Sequence, residues 1–498
     1  MSSRRVVAIS VSILAALYAV AFLACVAARL TFGFELAWLE SGMQAMTARL
    51  AAHQSIYVAP STSYVPFIYP PLFFVAAHGI ERLAPALAGA PAMRVVSLAS
   101  TLATLAVLWF CLARRGASLR QRLVLGALYL SFYGRFEYWH DTSRVDSLFV
   151  LLFFAAAALI IEGTSLRSAI AAGVIGGLAI LTKQPAVPLL VGCGAVVLYT
   201  TRKPARVAAM LGAAGASATG GLAAMGELGN RWLYYYVVTV PATHPLLVRN
   251  LRDGVAFIIV TMPLFIVSAV LMVRARPRGR APASTPTGPA PRTEVPWRWT
   301  LVLLVATAIM LALHLKQGAS LNFFLPLVPL GIVVAAPLLA RLGAGRAESL
   351  LLGQLLILVY NPLAAIPTAQ DWRAGFDLLG ALRAVRGDVF LPQFPSYLAL
   401  AGKAPVAHAV AVCDLIELRP ELMRAIDDQL DGGRFAVAIS WPSEHAGERC
   451  HAALSWPHFR NVGAPPVGGA FFASGHLTKM GGVYRYHHLA TGVSDGDS

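Results

Sequence analysis

The chain has 498 residues, 57% of them hydrophobic and only 13% charged, with a mean hydropathy of +0.65. That composition excludes an ordinary water-soluble protein and implies many membrane spans. A net charge of +16 would suit nucleic acid, but the arginines are scattered through short loops between apolar segments. This is the pattern of topology signals and not of a phosphate-tracking groove, so no nucleic-acid partner is expected.

Taken in order, residues 6–28 follow Arg4 and Arg5 and read as a retained first span with a cytoplasmic N-terminus. Residues 29–94 make a first outer loop. Its stretch from Phe34 to Phe74 carries Glu35, Glu40, Arg49 and His53 and has no spanning apolar run. Tyr69-Pro70-Pro71 is expected to stop one helix and start another. We read the loop as interfacial helices, a substrate platform on the outer membrane surface.

Further apolar runs lie near 95–112, 123–134, 147–161, 169–182, 185–200, 207–227, 255–273, 299–315, 321–340 and 348–366. The expected fold is a mainly α polytopic bundle of about 11 spans, with residues 1–366 as its membrane module. Residues 70–83 are too short to span and are broken by His78, Glu81 and Arg82. Keeping them outside places 18 Lys/Arg in 59 inner-loop residues against 11 in about 110 outer ones, as positive-inside topology demands. Residues 274–298, rich in Pro, Ala and Arg, read as a disordered cytoplasmic linker.

Residues 367–498 change composition and read as a small extracytoplasmic α/β domain. DVFLPQ, RFAVAIS and VYRYHH are its expected strands and ELMRAIDDQL its helix. Cys25, Cys111 and Cys193 fall in apolar helices as small hydrophobes, which leaves Cys413 and Cys450 as the two that could pair. The whole chain is expected in the cytoplasmic (inner) membrane as a multi-pass protein.

This topology gathers Glu40, Tyr69, Asp141, Asp146, Lys183, the 228–252 loop and Lys316 on the outer side. Ionisable groups abutting apolar spans are expensive and tend to serve a purpose. Glu137, His140, Asp141, Arg144 and Asp146 cluster before one span. Two of only five lysines, Lys183 and Lys316, occur as Lys-Gln pairs at outer helix ends and suit a phosphate headgroup. Glu40 is the first candidate for a base, with Glu35 behind it. In the 228–252 loop, Arg231, His244 and Arg249 flank an aromatic run from Trp232 to Tyr236. That run suits a sugar or lipid-headgroup surface, or equally an interfacial belt.

With an N-terminal span, an acid after an aromatic in the first outer loop, the YPPLFF segment and the RVDSLF opening of a later span, the chain resembles the C-type integral-membrane glycosyltransferases. LTKQ and KQGASLNFFLPLVP resemble segments of the protein mannosyltransferase and lipid A aminoarabinose transferase group. The match covers the layout of residues 6–366. It implies a polyprenyl-phosphate-linked sugar donor, membrane lipids around it, and transfer on the outer face to a lipid, glycan or protein acceptor. By position the first-loop acid is Glu40 and the second-loop acid is Asp146.

The expected reaction is inverting transfer. Glu40 would deprotonate the acceptor, Asp146 would orient hydroxyls with Asp141 as its backup, and Lys183, Lys316, Arg144 or Arg249 would stabilise the phosphate leaving group. Glu35, Tyr69, Arg231 and His244 would complete substrate binding. No residue is assigned to a metal, and a divalent metal cofactor stays open. A lipid-linked-sugar flippase would instead carry ionisable groups in mid-span. A non-catalytic assembly subunit would make Glu40 and Asp146 dispensable.

Overall fold

The computed structural model describes residues 3–275, 294–439, 459–463 and 483–486. Helices α1 (Ser3–Arg29), α4 (Ala90–Arg114), α5 (Leu119–Ser131), α6 (Asp146–Glu162), α7 (Leu166–Ile180), α8 (Ala186–Thr201) and α9 (Pro204–Ala224) form the first part of a bundle. Between α1 and α4 lie α2 (Glu40–Ala51) and α3 (Leu72–Leu83). The bundle continues, after α10 (Arg231–Tyr234) and α11 (Val240–Thr243), with α12 (Val248–Thr261), α13 (Pro263–Arg274), α14 (Glu294–His314), α15 (Leu327–Arg341) and α16 (Ala344–Ile357).

Each expected apolar run contains a helix, although that of 348–366 ends at Ile357, and the chain is a multi-pass membrane protein. Among the described residues five helices are long and apolar enough to cross a membrane, or seven if each bent pair counts as one span. The run 255–273, read as one span, is two helices bent by 86° at Met262. Pro263 lacks the N–H that would continue α12 and instead starts α13.

Most of the expected 274–298 linker lies outside the described residues, but its last residues already belong to α14. Tyr69-Pro70-Pro71 starts α3 and ends nothing, because α2 stops at Ala51. α5 is fixed at its start by a capping box in which Ser118 and Gln121 exchange hydrogen bonds.

Beyond the bundle come α17 (Ala369–Ala384), β1 (Asp388–Phe390), α18 (Pro395–Leu400), α19 (Ala409–Cys413), α20 (Pro420–Asp431), β2 (Phe435–Ile439), β3 (Phe459–Gly463) and β4 (Val483–Tyr486). They make a four-stranded sheet in the order β1-β2-β4-β3, with β1 parallel to β2 and the other pairs antiparallel. Cys25, Cys111 and Cys193 are free and buried, and Cys413 is disulfide-bonded. Cys450 lies outside the described residues.

The sequence divides the first outer loop from residues 367–498, yet the two share one apolar core. Leu36, Met43, Phe67 and Phe73 pack with Leu378, Phe394, Tyr397 and Val412. Phe34 stacks on Tyr397 with ring centroids 5.7 Å apart and meets Trp372 edge-on at 5.9 Å. His408 joins the two parts by bonding the Trp38 carbonyl at 3.0 Å. The contact is close enough that a Cβ added at Gly42 would come within 2.1 Å of the Phe67 ring.

Candidate active site

Glu35, Glu40, Asp141 and Asp146 are all buried, and each takes a different partner. Glu40, the first residue of α2, is fully buried. Its Oε1 accepts from Arg94 Nε at 3.2 Å and Ser143 N at 2.9 Å. Oε2 accepts from Arg94 Nη2 at 2.6 Å and Leu36 N at 2.8 Å. A carboxylate has about four acceptor positions, and all are filled. Burial alone would raise the Glu40 pKa, but Arg94 and the two backbone N–H groups outweigh it and hold the carboxyl below its usual range. Arg94 places its remaining donors on the carbonyls of Arg29, Phe32 and Phe34. The pair therefore pins the chain between α1 and α2 to the start of α4.

Asp146 opens α6. Its Oδ1 accepts from Lys183 Nζ at 2.6 Å and from Asn322 Nδ2 at 2.9 Å, and its Oδ2 from Arg144 Nε at 3.2 Å. One acceptor position on Oδ2 is left. The Arg144 guanidinium lies over the Trp139 ring at 3.7 Å, and its Nη1 is buried with no partner among the described residues. Tyr69, Leu39, Met43 and Val145 complete a narrow cleft with Arg144 and Asp146. Lys183 also packs 4.9 Å from the Phe323 ring centroid, so its ammonium faces the carboxylate and not solvent.

Asp141 pairs with Arg29 Nε at 3.1 Å, at the end of α1. Glu35 accepts from Ser396 Oγ at 2.5 Å, and its other oxygen is buried without a partner. Burial drives the Glu35 pKa well above the usual value, and Glu40 nearby adds to the rise while Ser396 opposes it. In the fold Glu35 is then neutral at a pH where the unfolded chain would have it ionised. Native protein binds the extra proton, so stability falls as pH rises from the ordinary Glu range, about 4.3, up to the raised value. Glu35→Gln keeps an acceptor for Ser396 and carries no charge. We expect it to flatten the decline of thermal stability between mildly acidic and mildly alkaline buffer, and equal slopes for both proteins would refute the account.

The remaining candidates bond to none of these four acids among the described residues. Lys316 Nζ donates to the Pro241 carbonyl at 2.5 Å, while His244 stands 3.4 Å from Asp414. Both tie down the 228–252 loop. Gln184 does the same by donating to the Val237 and Ile68 carbonyls. Arg231 and Arg249 are exposed, and among the described residues neither has a carboxylate partner.

Sequence reasoning missed Arg94, Asn322 and Ser396. Arg94 and Asn322 carried a signal, since each is a lone polar group in an apolar stretch close to a helix start; Ser396 carried none. Among the described residues no three His, Cys, Asp or Glu side chains gather as metal ligands.

No protein-family profile and no curated protein matches the sequence. Solved structures do match in shape. ArnT from Cupriavidus metallidurans bound to undecaprenyl phosphate superposes with a TM-score of 0.60 at 12% identity, covering 97% of this chain and 99% of that one. Its apo state gives 0.61 at 11% identity, covering 95% and 97%. An oligosaccharyltransferase from Archaeoglobus fulgidus overlaps less, with a TM-score of 0.49 at 11% identity over 87% of this chain and 69% of that one. Over nearly its whole length, the chain has the fold of the C-type integral-membrane glycosyltransferases.

Proposed function

We propose that the protein transfers a sugar from a polyprenyl-phosphate-linked donor to a lipid, glycan or protein acceptor on the outer face of the membrane, with inversion at the sugar carbon. The observation that carries this reading is the charge balance around Asp146. One carboxylate faces two buried cations, Arg144 and Lys183, so the cluster holds an excess positive charge beside an unpartnered guanidinium nitrogen. A buried charge without a counterion is costly, and an anion entering the cleft relieves that cost. The leaving group of such a donor is a lipid phosphate, an anion of the required sign. ArnT, which has the same fold, was crystallised with undecaprenyl phosphate.

In this mechanism the acceptor oxygen bonds to the sugar carbon as the carbon–oxygen bond to phosphate breaks. The electrons of that bond leave with the phosphate, towards Arg144 Nη1 and the Tyr69 hydroxyl. The acceptor proton passes to the open position on Asp146 Oδ2. Lys183 and Asn322 fix Asp146 through Oδ1 and keep Oδ2 turned to the cleft. Glu40 takes a structural part, because no acceptor position on it is free for a hydroxyl. Asp141 with Arg29 plays a similar part. Arg231 and Arg249, exposed on the outer loop, serve the acceptor.

Binding of undecaprenyl phosphate to the purified chain tests the anion site without knowledge of sugar or acceptor. The wild type should bind it in preference to the uncharged polyprenol, and Arg144→Gln should weaken binding about tenfold or more, roughly 1.4 kcal/mol. Equal affinity for phosphate and alcohol would end the proposal.

A further inference from the structure

A second cavity, roomier than the cleft beside Asp146, is a groove of about 320 Å3 between α12, α13 and α14. The bend at Met262 produces it, because α13 turns away from α12. Phe265, Ile266, Ala269, Val270 and Val273 of α13 then face Leu303, Leu304 and Thr307 of α14. Met262, Phe265, Ala269 and Leu303 form a buried floor, while the lips Val270, Val273 and Leu304 are each more than 40% exposed. The groove is therefore open sideways, towards lipid. Apart from one arginine, its lining offers no free polar group to recognise a sugar or a peptide, since the Thr307 hydroxyl is already bonded to the Leu303 carbonyl at 2.8 Å.

One charged residue lines it. Arg274, in the last turn of α13, is exposed and has no ion-pair partner among the described residues. The sequence stays basic beyond it, with Arg276, Arg278 and Arg280, and basic residues just cytoplasmic of a membrane helix attract anionic headgroups.

We propose that the groove holds one acyl chain of an anionic glycerophospholipid of the cytoplasmic leaflet, with the lipid phosphate at Arg274. An acyl chain enters through the open side without its headgroup leaving the interface, and Arg274 supplies the matching charge. The donor's polyprenyl chain fits less well. Anchored at Asp146, it would meet the groove at Leu327, five residues after Asn322. Arg274 would then face the far hydrocarbon end. The inference rests on residues 274–298 being cytoplasmic and is independent of the transfer reaction.

Native mass spectrometry of the delipidated full chain tests it, with phosphatidylglycerol and phosphatidylcholine of identical chains as probes. Phosphatidylglycerol should be retained, one per chain, at a concentration at least about tenfold below that needed for phosphatidylcholine, a difference of about 1.4 kcal/mol. Arg274→Gln should remove the preference. Val270→Trp, which fills the groove from an exposed lip and so spares the floor, should remove retention of both lipids while leaving thermal stability unchanged. Equal retention of the two lipids by the wild type would overturn the proposal, as would retention indifferent to both substitutions. Displacement of phosphatidylglycerol by equimolar undecaprenyl phosphate would assign the groove to the donor chain and overturn it too.

Discussion

Asp146→Asn, introduced together with Lys183→Met, should lower sugar transfer by ~10²–10⁴-fold relative to Lys183→Met alone, the range expected for losing a positioned general base. The pair of substitutions matters because Asp146→Asn by itself leaves Arg144 and Lys183 both buried without a counterion, and the variant could lose activity by misfolding. With Lys183→Met added, both the carboxylate and the ammonium are gone and the cluster keeps the wild-type excess of one positive charge, so the anion site stays charged while the carboxylate is absent. Lys183→Met alone keeps Asp146 held by Arg144 and Asn322. The measurement is transfer from a panel of radiolabelled polyprenyl-phosphate sugars in membranes with matched expression. Equal activity in the single and double variants would remove Asp146 from the chemistry.

How much of this site could be read beforehand depends on the range of the contact involved. Asp146 and Arg144 are two residues apart at the start of a strongly apolar run, and the cost of ionisable groups there pointed to them directly. Lys183 was legible for the same reason. Its bond to Asp146 was not foreseen, since the expected topology put both at outer helix ends but the lysine was read as a partner for phosphate.

Glu40 shows the limit. Its position after an aromatic in the first loop suggested a base, but its actual partner, Arg94, lies 54 residues away, at the far end of the same expected loop. Local pattern gives a carboxylate's neighbourhood on the chain and not its counterion in space. The shared core of the first loop with residues 367–412 was hidden for a similar reason, since Phe34 and Tyr397 are ordinary apolar residues until packing brings them face to face. The bend at Met262 was different. Pro263 stood in plain view inside the apolar run, and a proline in a helix interior marks a break at the residue before it.

Glu40→Leu should destabilise the fold by ~3–5 kcal/mol, the cost of leaving a buried partner charge uncompensated. Arg94 is wholly buried and uses every donor it has, two on Glu40 and the rest on the Arg29, Phe32 and Phe34 carbonyls. Removing the carboxylate leaves the guanidinium charge in place with only neutral acceptors around it. Arg94→Leu should cost at least as much, because it strands those three carbonyls as well as Glu40. The double variant Glu40→Leu/Arg94→Leu should lose less than the sum of the two, since neither charge then remains unpaired. Thermal unfolding of the purified proteins in one detergent measures this directly. Transfer activity scaled to the folded fraction separates the two acids: the Glu40→Leu loss should track the folded fraction, whereas loss of the Asp146 carboxylate should not. A Glu40→Leu protein as stable as wild type yet without activity would reverse their roles, restoring Glu40 as the base and leaving Asp146 as the strut.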